Sequence, residues 1–345
     1  MISAELRTRI GLLLAKVGAG EVTEAEPCSS GRNNRTYRVV GSNSVFAVKE
    51  YFRHEDDRRD RLGTEYSFLT YAADAAPGWT PSPLALDREG GIALYEFIDG
   101  RPLRPDEIGW EHVSAAVQFF RALNSNPERM KAKLPLASES CFSFNDHIGL
   151  IDARLKALRA IEPRSEEDFA ARRLLTAVDA HWRELADDVL RGAKNAGLSA
   201  SELLDSEQRC LSPSDFGFHN ALLGRDGAIR FLDFEYAGWD DPAKMTGDFF
   251  AQLAVPAPPG LFKRFTEEAL AILPRPGELV SRAHLLRPVY QVKWCCIALN
   301  VFHPTHLARR QFSDPSLDIT DLKRRQLAKA QALFNSMETR QHGLH

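Results

Sequence analysis

The first hundred residues show the pattern of a small sheet. Residues 37–40 and 45–49 alternate apolar and polar positions on either side of a polar turn, which predicts a hairpin. Residues 84–86 and 92–98 are apolar and flank a turn rich in charge and glycine, which predicts a second hairpin. A turn at residues 99–100 ends this block.

Helical periodicity surrounds these strands and dominates the rest of the chain. We expect a small amphipathic helix near Ile10, and residues 55–73 predict a charged helix between the two hairpins. Residues 105–200 and 245–336 repeat apolar positions at helical spacing. Between them, residues 211–235 return to the pattern of short strands.

This order predicts an α+β protein with a small antiparallel-sheet lobe and a larger, mostly helical lobe. The expected boundary lies near residue 100, with residues 1–100 in the first lobe and residues 101–345 in the second. Two lobes also suit the length, because single hydrophobic cores stop growing at about 250–300 residues.

Composition narrows the class of protein. Hydrophobic residues make up 44% and charged residues 26%, and the net charge of −3 argues against a nucleic-acid binder with a broad basic face. The five cysteines include no Cys-x2-Cys pair, so we expect neither a disulfide framework nor a zinc site. The apolar run at residues 10–15 is too short for a signal peptide, and no run reaches the about 18 residues of a membrane span. We therefore expect a cytoplasmic protein that works without membrane or nucleic-acid partners.

Three polar side chains stand out in residues 211–235. Asp215 begins the set, Asn220 follows five residues later, and Asp233 ends an apolar run beyond a glycine turn. An aspartate would orient a substrate hydroxyl, while amide and carboxylate oxygens are ligands that suit Mg²⁺. Each residue alone would equally serve as a cap or turn former. Together the three predict a catalytic hairpin for phosphoryl transfer.

Glu235 follows Asp233 by two residues. It would share a strand face with Asp233 if the chain stays extended there. Two interpretations of Glu235 stay open: it contacts the metal or the acceptor, or it is a solvated carboxylate.

A second signal comes from the sheet region. Lys49 ends an apolar strand, where a lysine would reach nucleotide phosphates as a point charge. Glu65, on the following helix, is the expected partner of Lys49. Glu50 would compete for Lys49, but alternation places it on the opposite face of the strand. A surface charge remains the alternative for both Lys49 and Glu65.

Two backbone features complete a possible nucleotide site. The polar run that contains Gly31 and Asn34 would bring backbone N–H groups over phosphates, although it has one glycine and is no Gly-x-Gly-x-x-Gly loop. The end of the second hairpin would offer backbone groups of Glu96 and Ile98 to an adenine edge.

Across roughly residues 25–250, these segments resemble the aminoglycoside phosphotransferase/choline kinase family, a branch of the protein-kinase-like fold. The run Tyr95–Gly100 resembles the hinge of that family, and Trp239–Ala243 with Asp248 resembles a later motif. The resemblance implies a bilobal kinase-like fold, ATP as phosphate donor, Mg²⁺ as cofactor and a small hydroxylated acceptor. It also implies roles for the residues already named: the catalytic residue Asp215, the metal ligands Asn220 and Asp233, and the nucleotide-binding residues Gly31, Asn34, Lys49, Glu65, Glu96 and Ile98.

The sequence departs from the family just before Asp215. Where the family usually has His-x-Asp, this chain has Pro213-Ser214-Asp215, and the missing histidine normally braces the loop against the Asp-Phe segment. Two hypotheses follow. The first is an ATP- and Mg²⁺-dependent phosphotransferase that acts on a hydroxyl of a small molecule, and the alternative is a nucleotide-binding pseudokinase scaffold with little or no turnover. A protein kinase is disfavoured because the sequence has no His-Arg-Asp and no Ala-Pro-Glu.

The acceptor is expected between the catalytic hairpin and the C-terminal helices. A cationic acceptor would suit a set of acidic side chains, namely Glu235, Asp240, Asp241, Glu267 and Glu268. A quaternary amine would suit an aromatic wall made by Trp239, Tyr290 and Trp294. Core packing or solvation is the alternative for each of these side chains. His303 and His306 have a metal-like spacing, with a loop role as the alternative.

Overall fold

A computed structural model describes residues 2–28, 34–42, 44–53 and 59–342. Within these ranges, the N-terminal region forms a five-stranded antiparallel sheet in the order β1-β2-β3-β5-β4. The strands are β1 (Glu24–Cys28), β2 (Arg35–Val40), β3 (Val45–Glu50), β4 (Pro83–Asp87) and β5 (Ile92–Glu96).

Both predicted hairpins of the sheet are confirmed. Tyr37 and Val39 of β2 are buried, as their alternation with polar neighbours requires. Strand β5 ends at Glu96, two residues before the predicted end. The edge strand β1 had not been predicted, because its sequence contains a proline and two glutamates and mostly faces solvent.

The helices follow the periodic segments of the sequence. They are α1 (Ala4–Lys16), α2 (Arg61–Ala75), α3 (Trp110–Asn124), α4 (Phe144–Arg159), α5 (Glu166–Asn195), α6 (Pro242–Ala251), α7 (Phe262–Leu270), α8 (Pro276–Leu299), α9 (Pro304–Ser313) and α10 (Ile319–His342). No helix in the described ranges combines the length and the apolar character that crossing a membrane requires.

Helix α2 starts later than the sequence pattern suggested. The expected start at Glu55 is wrong for the described residues, because Arg59 and Asp60 are not helical. The side chain of Asp60 accepts a hydrogen bond from Gly63 N at 2.8 Å and caps the helix at Arg61. Residues 54–58 lie outside the described part of the chain. Helix α2 therefore brings Glu65 into its second turn.

Two apolar clusters cover the two faces of the sheet. Helix α1 packs Ile10 and Leu14 against Val39 and Val48. The opposite face joins the main core, which continues through α2 and α3 into the C-terminal helices around α8. The lobe boundary near residue 100 remains a prediction, since this core includes residues from both sides of it.

Short strands carry the segment with the candidate chemistry. Strand β8 (Ala221–Gly224) pairs on one side with β6 (Gly100–Pro102) and on the other with β9 (Ile229–Phe231). Strand β7 (Cys210–Ser212), just before the loop of Asp215, pairs with β10 (Gly238–Asp240). The hairpin predicted for residues 211–235 is thus held at both ends.

Candidate active site

The β8–β9 hairpin brings Asn220 and Asp233 together. The two strands pair antiparallel from Ala221 opposite Phe231, and Leu232 N donates to Asn220 O at 2.8 Å. Asp233 then adopts a left-handed backbone with φ of 66°, which is uncommon for a residue other than glycine. The chain therefore turns at Asp233 instead of continuing as a strand, and its carboxylate stays 30% exposed.

Asp215 lies in the loop after β7, and side chains from the following turn hold its carboxylate. His219 Nε2 lies 3.1 Å from Asp215 Oδ1, and Asn220 Nδ2 donates to Asp215 Oδ2 at 3.2 Å. Asn220 Nδ2 also donates to the backbone oxygen of Asp215 at 2.9 Å. Asn220 uses its amide nitrogen for these bonds. Its amide oxygen is therefore the side-chain atom left to bind another group.

Lys49 connects the sheet to the hairpin. Its ammonium lies 2.6 Å from Glu65 Oε2 and 2.5 Å from Asp233 Oδ1. Burial lowers the pKa of Lys49, but the charges of Asp233, Glu65 and Glu235 outweigh that effect and hold the pKa well above its ordinary value. The predicted contact of Lys49 with Glu65 is present. Glu50 points elsewhere and accepts a hydrogen bond from Tyr37 OH at 2.9 Å.

Glu65 is fixed from several directions. Its Oε2 accepts from Tyr51 OH at 2.7 Å as well as from Lys49, and its Oε1 accepts from Phe234 N at 3.2 Å. The side chain is 4% exposed. Glu65 thus ties helix α2, strand β3 and the backbone after Asp233 into one unit.

The electrostatics of Asp233 favour a bound cation. Burial raises the pKa of its carboxyl, Lys49 lowers it, and the negative charges of Glu235 and Glu65 raise it further, to about 6. Two cations, Lys49 and Arg61, therefore face three carboxylates, Asp233, Glu65 and Glu235. A divalent cation would relieve their mutual repulsion.

The donor set fits Mg²⁺ better than a transition metal. No group of three or more His, Cys, Asp or Glu side chains in the described ranges is arranged to hold a metal ion by itself. The residues at the two ends of the β8–β9 hairpin could contribute two oxygen ligands, the amide of Asn220 and the carboxylate of Asp233. Mg²⁺ commonly uses one or two protein carboxylates and completes its octahedron with phosphates and waters.

Glu235 has a structural position that the sequence pattern did not reveal. Its carboxylate is 0% exposed and accepts hydrogen bonds from Arg61 Nη1 at 2.8 Å and from Asn34 Nδ2 at 2.7 Å. The idea of a solvated carboxylate is therefore wrong, and so is the assumption of an extended chain from Asp233. Glu235 links the start of α2 to the segment after β9.

Among the other residues predicted to contact the nucleotide, Asn34 joins this cluster through Glu235. The side chain of Asn34 is buried and engaged, because its Oδ1 also accepts from Phe52 N at 3.0 Å. Gly31 lies outside the described residues. Glu96 ends β5 and donates its backbone N–H to Ser82 O at 2.9 Å, so that N–H is not open to an adenine. Ile98 lies two residues beyond β5, partly exposed, in the segment that leads to β6.

His219 is the site residue that sequence reasoning missed. Its side chain is 3% exposed, and it occupies a short 3-10 turn at Phe218–Asn220 between Asp215 and β8. Its position four residues after Asp215 was the available signal, since a tight turn folds such a side chain back onto the aspartate.

Buried ion pairs occupy the acidic residues proposed for a cationic acceptor. Asp240 lies 2.5 Å from Lys244, and Asp241 lies 2.6 Å from Arg282 and 3.1 Å from His147. Both carboxylates are 0% exposed, so the acceptor role is wrong for these two residues.

The proposed aromatic wall is largely part of the core. Tyr290 is fully buried, with its hydroxyl 2.5 Å from His147 Nδ1, and Trp294 is 6% exposed with its Nε1 donating to Asp248 at 2.9 Å. Trp239 is partly exposed in β10. Two further candidates, Glu267 and Glu268, pair with basic neighbours on the outer face of α7. The rings of His303 and His306 lie 5.5 Å apart without a metal-binding group around them in the described ranges.

Two comparisons, with a family model and with solved structures, found proteins similar to this chain. A model of the phosphotransferase enzyme family matches residues 24–279. A choline kinase from Cryptosporidium parvum Iowa II is 14% identical, with 96% of this chain and 97% of that chain covered and a TM-score of 0.61. A choline kinase from Streptococcus pneumoniae is 16% identical, with 96% and 100% covered and a TM-score of 0.58.

A spectinomycin phosphotransferase, solved in complex with ADP and spectinomycin, is also similar. It is 13% identical, with 96% of this chain and 98% of that chain covered and a TM-score of 0.57. No significant match was found among curated protein sequences. The structural likenesses confirm the predicted α+β, protein-kinase-like fold, and the family match covers most of the chain. The chain therefore belongs to the phosphotransferase enzyme family.

Proposed function

We propose that this protein transfers the γ-phosphate of ATP to a hydroxyl group of a small molecule in a Mg²⁺-dependent reaction. The observation that carries the proposal is the position of Lys49 between Glu65 and Asp233, at 2.6 Å and 2.5 Å. A buried lysine held by two carboxylates is a fixed positive charge, which suits phosphate oxygens. Asn220 and Asp233 flank the β8–β9 hairpin, and Asp215 lies in the loop between β7 and that hairpin.

Each residue has a distinct task in this proposal. Asp215 would accept a hydrogen bond from the acceptor hydroxyl and take its proton as the oxygen bonds to the γ-phosphorus and ADP leaves. Lys49, held by Glu65, would hold phosphate oxygens of the nucleotide. Asn220 and Asp233 would bind Mg²⁺, which would neutralise charge on the transferring phosphoryl group when bound.

The nucleotide would lie between the sheet and the hairpin. The backbone carbonyl of Glu96 and the backbone of Ile98 would pair with the adenine, since the Glu96 N–H bonds to Ser82 O. The loop that contains Gly31 and Asn34 would cover the phosphates. With the side chain of Asn34 engaged by Glu235 and Phe52, the backbone is the part of that residue left for a nucleotide.

The class of acceptor rests on proteins of similar fold. One was solved with ADP and spectinomycin, another with gentamicin, and others are choline or ethanolamine kinases. The small molecules named for these proteins support a small hydroxylated acceptor for this chain. The burial of Asp240, Asp241 and Tyr290 removes the main reasons that the sequence offered for a cationic one.

A pseudokinase scaffold is the second candidate, favoured by Pro213 and Ser214 in place of the usual histidine. Mg²⁺ and ATP binding is measured first by calorimetry. Transfer from γ-labelled ATP to a panel of amino alcohols, sugars and aminoglycosides is then measured with and without EDTA. The proposal predicts Mg²⁺-dependent labelling of at least one acceptor. Tight nucleotide binding without transfer to any member of a wide panel would favour the scaffold.

A further inference from the structure

Pro213 stands two residues before Asp215 and has no side-chain donor. Ser214 adopts a left-handed backbone with φ of 66°, and its N–H donates to Ser212 Oγ at 3.0 Å. Two polar side chains reach the Asp215 carboxylate from the turn that follows it, His219 and Asn220. A misplacement of about 1 Å can cost about 10²-fold in rate, so its orientation matters to turnover.

His219 supplies a donor from that turn. Its Nε2 lies 3.1 Å from Asp215 Oδ1, while Asn220 donates to Oδ2 at 3.2 Å. Each oxygen of the carboxylate thus has a partner in this turn, and the two contacts together fix its rotation. A carboxylate has about four lone-pair sites, so positions remain for an acceptor hydroxyl.

The ring of His219 is itself held in a fixed orientation. It packs edge-to-face on Trp294 at 6.3 Å, and Trp294 Nε1 donates to Asp248, which also pairs with Lys293 at 2.8 Å. On its other side lies Gly217, where a Cβ atom would meet His219 Nδ1 at 2.8 Å. Glycine is therefore required for the ring to approach the backbone this closely.

The second ring nitrogen gives an independent indication. His219 Nδ1 is buried and has no hydrogen-bond partner in the described part of the chain. A buried polar atom without a partner is costly and is rare in folded proteins. A ring needed only for packing would be better as an apolar phenyl ring, which has no polar atom to bury. A ring that must donate from Nε2 has to be a histidine, and its Nδ1 then stays buried without a partner.

We propose that His219 is a positioning residue for Asp215 and orients its carboxylate from the turn that follows it. The inference rests on the proposed function, since it assigns Asp215 a catalytic task. His219 carries its proton on Nε2, donates it to Oδ1 of Asp215 and thereby presents the carboxylate to the acceptor hydroxyl. His219 itself contacts neither nucleotide nor acceptor.

The kinetic test separates the hydrogen bond from the packing of the ring. His219→Phe keeps a ring without a donor, and His219→Gln keeps a donor without a ring. We expect kcat of His219→Phe to fall about 10- to 100-fold, with KM for ATP within about threefold of wild type. His219→Gln should retain kcat within about fivefold, and added imidazole should restore part of the kcat of His219→Gly.

A matched control is His112→Phe. The ring of His112 packs edge-to-face on Phe218 at 6.3 Å, next to the same turn, and its Nδ1 accepts a hydrogen bond from Gly109 N at 3.2 Å. We expect its kcat to stay near the wild-type value. Equal losses in His219→Phe and His219→Gln, or wild-type kcat in folded His219→Phe, would overturn the proposal.

A measurement without turnover keeps this inference distinct from the proposed function. ¹⁵N NMR of the histidine rings should show His219 as the Nε2–H tautomer, and Asp215→Ala should shift its resonances. An Nδ1–H tautomer, or resonances unchanged in Asp215→Ala, would refute the hydrogen bond whether or not an acceptor is known. If the bond is present but wild-type protein transfers no phosphate, the proposed function fails instead.

Discussion

The ammonium of Lys49 lies 2.5 Å from a carboxylate oxygen of Asp233. The two residues belong to different parts of the chain, one on strand β3 and the other beyond β9. Their contact brings the sheet and the catalytic hairpin together. A nucleotide with Mg²⁺ would enter this charged cluster, with the phosphates facing Lys49 and the metal facing Asp233.

Loss of the Lys49 charge should reduce catalysis, and it should also lower stability because Glu65 stays buried without its partner. We expect Lys49→Met to lower kcat/KM by about 10²- to 10³-fold, the cost of removing one fixed charge or donor at a transition state. Glu50→Gln is the adjacent control, because Glu50 faces away and bonds to Tyr37. Equal rates for Lys49→Met and wild type in steady-state assays would contradict the assigned task.

Mg²⁺ binding should depend on pH through Asp233. Its raised pKa of about 6 means that the carboxyl is protonated below that pH and ionised above it. The cation needs the ionised form, so its apparent affinity should fall as the pH drops through about 6, with proton release on binding near that pH. Calorimetry in two buffers of different ionisation enthalpy measures both effects. An affinity that stays constant between pH 5 and pH 8 would rule them out.

The buried pair of Arg61 and Glu235 should matter for stability. The two side chains are 2% and 0% exposed and 2.8 Å apart, so removing one partner leaves an uncompensated charge. We expect Arg61→Met to lower the free energy of unfolding by about 3–5 kcal/mol, with much of the loss recovered in Arg61→Met/Glu235→Leu.

The exposed pair of Arg325 and Asp321 provides the control for this measurement. Arg325→Met should cost only about 0–1 kcal/mol. Urea unfolding of the variants compares the two pairs. Similar small losses at both would show that the Arg61–Glu235 pair does not hold helix α2.

Asp241 should act on stability and not on acceptor binding. Burial raises the pKa of its carboxyl, but Arg282 and His147 lower it to about 2, below the ordinary value of 3.8. A depressed pKa stabilises the folded state above the ordinary value, and that stabilisation is lost as the pH falls towards 2. Asp241→Asn should therefore lower Tm strongly at pH 7 and less near pH 3. A changed KM for acceptor with an unchanged Tm would restore the acceptor role.

Regular elements explain what could be predicted from the sequence. Strand alternation placed Lys49 and Glu50 on opposite faces, and the helix that follows the strand supplied Glu65 as the expected partner of Lys49. The spacing of Asp215 and Asn220 lies within one turn, so local geometry was enough. These contacts depend on spacing along the sequence and on the periods of strands and helices, which can be recognised in the order of the residues.

The remaining contacts depend on irregular or distant features. Glu235 meets Arg61 across 174 positions of sequence, and the left-handed turn at Asp233 rotates it away from the extended path. His219 reaches Asp215 only because a 3-10 turn reverses the chain. Neither a positive φ at an aspartate nor a partner far along the chain has a signature in residue pattern.

The most direct test of the account is the rate of phosphoryl transfer in Asp215→Asn. The amide keeps the size of the side chain but cannot take a proton, so transfer to an acceptor identified with wild-type protein should fall by about 10²- to 10⁴-fold. The Kd for Mg²⁺ and ATP should stay within about threefold, since Asp215 contacts neither in this account. Transfer at the wild-type rate by folded Asp215→Asn would contradict it.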